Sequence, residues 1–110
     1  FHFNSQMQIT NEKLMQFKEF YCYGASLMLP ILLYFLPNMV NAVAIIDANK
    51  EKWGLTYANF SKEIICEEKL KLDDSNFIIS AVATKLAYRK ILSYLIQKNA
   101  KNILVPINII

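Results

Sequence analysis

One stretch dominates the polar and apolar pattern of this chain. From Phe20 to Ile46, FYCYGASLMLPILLYFLPNMVNAVAII, 27 residues pass without an Asp, Glu, Lys or Arg. A transmembrane helix needs about 20 mostly apolar residues, so the run predicts a membrane span. Pro30 and Pro37 each lack an N–H and predict kinks in that helix. Helices in lipid tolerate such breaks because neighbouring elements satisfy the freed carbonyls. At about 100° per residue, Ser26, Pro30, Leu33, Pro37, Asn41 and Ala44 fall on one side of such a helix. Met28, Leu32, Phe35, Met39, Val43 and Ile46 fall on the other. Membrane helices associate through small and polar side chains. Ser26, Pro30, Pro37, Asn41 and Ala44 are therefore expected to form a helix-docking face, with the bulky side toward lipid.

The flanking segments read as helices. Phe1 to Gln8 is irregular, and Thr10 is placed to cap a helix that begins near Asn11 and carries Leu14, Phe17 and Tyr21 at helical spacing. After the run, DANKEKWGL from Asp47 to Leu55 is a polar loop. Its Asp47, Asn49 and Glu51 imitate the start of a calcium loop, but Lys52 stands where that loop requires Gly and Ala58 where it requires Glu. No calcium site is expected. Thr56 is placed to cap a further helix that reaches about Lys71. Asp73, Asp74 and Ser75 mark a turn, and a long helix is expected from Asn76 to Lys98, packed through Phe77, Ala81, Tyr88, Leu92 and Leu95. The tail ILVPINII, interrupted by Pro106, reads as an extended arm that lies on a partner, with an edge strand as the alternative.

These elements give an all-α expectation: one Pro-kinked transmembrane helix followed by amphipathic helices. The chain is a single small helical membrane domain, 1–110, with an N-terminal segment and helix (1–19), the transmembrane helix (20–46), and extramembrane helices and tail (47–110). Composition agrees in direction. Charged residues make up 19% of the chain, against about 25% in an average soluble domain. The net charge of +3 comes from 11 Lys and one Arg spread along the sequence. Nucleic-acid binders concentrate such charge in a stripe, often with Arg, so no nucleic-acid partner is expected. Lys50, Lys52 and Lys62 after the run outnumber Lys13 and Lys18 before it, which leans the C-terminal side inward.

Candidate chemistry is sparse. His2 is the only histidine and lies at the start of the chain, so neither a His-based metal site nor a nucleophile–His relay has a partner for it. Cys22 and Cys66 are too widely spaced for a zinc motif. They read as structural thiols, with a disulfide between them as the sharper alternative. Gly24 and Gly54 are the only glycines, too few for a Gly-rich phosphate loop. Asn59-Phe60-Ser61 matches a glycosylation sequon, but Phe60 reads as a packing residue. Trp53 and Tyr57 suit an interfacial aromatic belt, and Asn38 and Asn41 suit amides bonded to a neighbouring helix.

The sequence therefore predicts no catalytic residues, no cofactor and no metal. The expected function is that of a small non-catalytic accessory or structural subunit of a larger membrane protein complex. Its partners are other subunits, met through the transmembrane helix and C-terminal tail, and membrane lipid. The location is a bacterial or organellar inner membrane. The alternative is a soluble all-α protein-interaction module whose apolar run folds as a central helical hairpin.

Overall fold

The computed structural model describes residues 3–27, 29–66, 73–80 and 85–106, and in it strands alternate with helices. Helix α1 (Phe3–Gln16) leads to strand β1 (Tyr21–Tyr23), helix α2 (Leu29–Phe35), a 3-10 segment (Pro37–Asn41) and strand β2 (Ile45–Asp47). A 3-10 turn (Lys50–Lys52), β3 (Ile64–Cys66), β4 (Asn76–Ile79), α3 (Lys85–Gln97) and β5 (Asn102–Leu104) follow. The strands form one sheet in the order β3-β2-β1-β4-β5, and every pairing is parallel. This is the order of the first five strands of doubly wound α/β sheets.

The all-α expectation is overturned, and the physical reason lies in the charge-free run. Phe20 to Ile46 is not one helix but a βαβ unit: β1, α2, the 3-10 segment and most of β2. Parallel strands covered by helices on both faces are buried on both faces, so they read as unbroken apolar runs without alternation. The alternation exists in space. Cys22, Ile45, Ile64 and Ile78 point into one core with Met7 and Leu14 of α1 and Leu29 and Leu32 of α2. Tyr23, Ile46, Phe77 and Ile79 point into the opposite core with Tyr88 and Leu95 of α3. Each fully buried Ile, Leu or Phe contributes about 1.5–3 kcal/mol, and a charge on either face would forfeit that.

No helix among the described residues is long and apolar enough to cross a membrane. The transmembrane helix 20–46 is thus corrected, and the inner-membrane location inferred from it falls with it. Both prolines start helical segments instead of kinking one. Pro30 is the second residue of α2 and Pro37 the first of the 3-10 segment, positions where the missing N–H costs nothing. Gly24, at φ 107°, turns the chain out of β1 in a region that side chains disfavour.

The flanking helices are also redrawn. Helix α1 starts at Phe3, not near Asn11, and Thr10 lies in its body, where Oγ1 donates to the Gln6 carbonyl at 2.8 Å. Where a helix was expected after Thr56, Ile64–Cys66 forms β3; residues 67–71 of that expected helix lie outside the described residues. The segment Asn76 to Lys98 divides into β4 and α3. Phe77, Tyr88 and Leu95 of its expected packing face still meet in one core, with Leu92 packed against it; Ala81 lies outside the described residues. Asp74 and Asn99 take left-handed φ of 56° and 58° at the turns that precede β4 and β5, and Asp74 N–H donates to the Asn99 carbonyl at 2.9 Å.

Candidate ligand site at the carboxyl edge

Ligands of open parallel sheets bind outside the carboxyl ends of the strands. Here that edge is organised around the turn Gly24-Ala25-Ser26 that follows β1. Three side chains from three separate segments donate to its three carbonyls. Ser80, fully buried at the end of β4, donates from Oγ to the Gly24 carbonyl at 2.6 Å. Lys52 Nζ donates to the Ala25 carbonyl at 2.7 Å. Tyr57 Oη donates to the Ser26 carbonyl at 2.8 Å. Ser26 Oγ in turn donates to the Ser80 carbonyl at 2.9 Å. A turn held from so many directions is preorganised, because the ordering entropy has been spent in folding.

The N–H side of the turn is held as tightly. Gly24 N–H donates to the Ile46 carbonyl at 2.8 Å, continuing the sheet. Ala25 N–H donates to Asp47 Oδ2 at 2.8 Å. Asp47 is the last residue of β2, and its Oδ1 accepts the Asn49 N–H at 2.8 Å. Its backbone carbonyl accepts the indole N–H of Trp53 at 2.7 Å. The Lys52 ammonium lies 3.8 Å from Asp47 Oδ2, so the lysine's charge is balanced inside the site. The pair is partly exposed and its geometry loose, which limits it to about 1 kcal/mol or less. Tyr57 holds its proton more firmly than usual, chiefly through burial, then through the negative charge of Asp47.

Between these groups lies a cavity of about 360 Å³, within the size range of small-molecule sites. It is lined by Ala25, Ser26 and Leu27 of the turn, by Lys52, Leu55, Thr56 and Tyr57, and by Ile64. The surface is largely apolar, with the ammonium and hydroxyl groups as its polar points. Leu27 and Leu55 are 93% and 56% exposed at this cavity, an apolar rim that folding leaves uncovered.

The residues of the expected helix-docking face do not share a helix. Ser26 lies in the turn after β1, Pro30 in α2, Pro37 and Asn41 in the 3-10 segment, and Ala44 just before β2. Ser26 belongs to the cavity, Pro37 and Asn41 are exposed, and Ala44 is buried. Asn38 bonds across to another helix, its Nδ2 donating to the Asn11 carbonyl at 2.9 Å and its N–H to Asn11 Oδ1 at 2.8 Å. Cys22 and Cys66 are both buried on β1 and β3, with β2 between them. Two strand spacings and a two-residue offset along the strands put them more than about 10 Å apart, beyond the reach of a disulfide. His2 lies outside the described residues. Among those described, no group of three His, Cys, Asp or Glu is placed to hold a metal ion.

Sequence reasoning missed Asp47, Lys52, Tyr57 and Ser80. The available signal was faint: a Gly after an apolar strand and an acid about 20 residues on is the frame of the dinucleotide fingerprint. In this chain Ser26 and Leu29 stand where that fingerprint has its second and third glycines. No protein-family model matches the chain, and no curated protein matches it.

Proposed function

We propose that this chain is a non-catalytic binding domain that holds a small organic molecule over the carboxyl ends of β1 and β2. One observation carries the reading: a preorganised, mostly apolar cavity lies at the edge where sheets of this order take ligands, with Leu27 and Leu55 exposed at it. Absence of turnover is supported by the chemistry of the described side chains. Burial raises the Cys22 thiol to about 12, so it supplies no thiolate near neutral pH. Asp47 accepts the Ala25 N–H and Lys52 donates to the Ala25 carbonyl, so both hold the turn. Of the role expected from the sequence, this proposal retains only the non-catalytic character; small-molecule binding replaces the subunit of a membrane complex.

Amide shift mapping by NMR tests the reading, with indole, nicotinamide, adenine and adenosine each titrated to millimolar concentration. At least one probe should shift Ala25 to Leu27 and Lys52 to Tyr57 together. Thr56→Trp, a substitution at an exposed position that narrows the cavity, should abolish the shifts. If none of the four moves those amides, or if Thr56→Trp changes nothing, the binding reading fails.

A further inference from the structure

Once the cavity is taken as a binding site, the side chains around it also specify the class of ligand. Resting on that binding reading, we propose that the cavity takes an uncharged, flat heterocycle of nucleobase or nucleoside type and discriminates against its phosphorylated forms.

Phosphate binding at the turn after β1 depends on three things: free backbone N–H groups, glycines that let the backbone approach the anion, and a helix N-terminus behind them. This turn meets the first two poorly: the Gly24 and Ala25 N–H groups are already donated, and Gly24 is its single glycine. The Ala25 N–H is already donated to a carboxylate, Asp47 Oδ2, at 2.8 Å. An incoming phosphate would have to displace that carboxylate or sit beside its charge. Ser26 carries a side chain where close approach favours glycine, and its Oγ is bonded to the Ser80 carbonyl. The α2 helix behind the turn has only 7 residues and begins at Leu29. Lys52, the cavity's cation, stands 3.8 Å from the Asp47 carboxylate, so the two charges beside the turn sum to zero.

The groups that do face the cavity suit a neutral ring. Its walls are apolar, and two leucines are exposed at it. An ammonium has three N–H donors. One of Lys52's goes to the Ala25 carbonyl and one is directed toward Asp47, which leaves one for a ring nitrogen or carbonyl of a ligand. Thr56, an exposed residue of the lining, carries a hydroxyl able to donate and accept. A flat heterocycle with one acceptor edge satisfies this set without bringing a charge.

The test compares adenine, adenosine, adenosine 5′-monophosphate and inorganic pyrophosphate. The readouts are the fluorescence of Trp53, whose indole is bonded to the Asp47 carbonyl, and the amide shifts of Ala25 to Leu27. Adenosine should bind at least about ten-fold more tightly than its monophosphate, and pyrophosphate should not displace it. Asp47→Asn keeps an oxygen for the Ala25 N–H but removes the charge, and should narrow that ratio. Raising salt on the unaltered protein should narrow it too, because screening weakens the repulsion. Tighter binding of the monophosphate, or displacement by pyrophosphate, overturns the class and leaves the binding reading standing. So does a response to indole or nicotinamide with none to adenine or adenosine. Silence from every probe overturns both.

Discussion

At the scale of single residues, the burial of reactive groups sets how the protein responds to pH. Cys22 is fully buried on β1, and burial pushes its pKa from 9.0 up to about 12. The unfolded chain releases this proton near 9 while the folded chain keeps it. Above that pH the native state binds more protons than the unfolded state, so stability falls as pH rises toward 12. Burial also raises Tyr57 and Tyr88, which extends the loss upward from their ordinary value near 10. The expected result is a urea midpoint that declines steadily from about pH 9 to pH 11. Cys22→Ala should make that decline shallower, by up to about 1.4 kcal/mol per pH unit. A midpoint that stays level across this range in the unaltered protein would show that Cys22 is not held in its protonated form.

At the scale of elements, the βαβ unit separates residues that a single helix would place together. Leu32 and Val43 fall on the same side of a continuous helix through the apolar run, and both were expected to face lipid. In the fold Leu32 is 1% exposed beneath α2, whereas Val43 is 44% exposed between the 3-10 segment and β2. Leu32→Ala should cost about 2–5 kcal/mol. Val43→Ala should cost less than about 1 kcal/mol. Chemical denaturation of the two variants checks the contrast, and equal costs would speak against α2 as the cover of this core. Neither prediction follows from hydropathy, which is high at both positions.

At the scale of the whole molecule, the sheet ends in β3 on one side and β5 on the other. The start of the tail takes the edge-strand alternative: Ile103 and Leu104 lie in β5, paired with Phe77 and Ile78 of β4. Removing residues 102–110 therefore takes away an edge strand. It leaves β4, with its buried Phe77, Ile78 and Ile79, as an unpaired and strongly apolar edge, which is a template for association. The truncated chain should form larger species than the full chain and unfold at lower denaturant. Light scattering coupled to size exclusion reads the first effect and a urea titration the second. An unchanged size and midpoint would mean that β5 contributes nothing to the sheet.

The sequence by itself determined that Phe20 to Ile46 excludes charge, that Asp73 to Ser75 is a turn, and that Tyr88, Leu92 and Leu95 share one side of a helix. Those facts depend on local composition and spacing. It also contained no concentration of basic residues and no Gly-rich phosphate loop. The medium that buries the run, lipid or protein, was not legible. A doubly covered parallel strand and a membrane helix both exclude charge, and hydropathy records only the exclusion. Short strands of three residues, such as β1 and β2, offer too few positions for a period of two to emerge. Only the tertiary structure decided the site. Asp47 and Ala25, Tyr57 and Ser26, and Ser80 and Gly24 are brought together across 22, 31 and 56 positions. Parallel pairing makes those contacts through crossovers, and no local pattern in the chain encodes which carbonyl each side chain will meet.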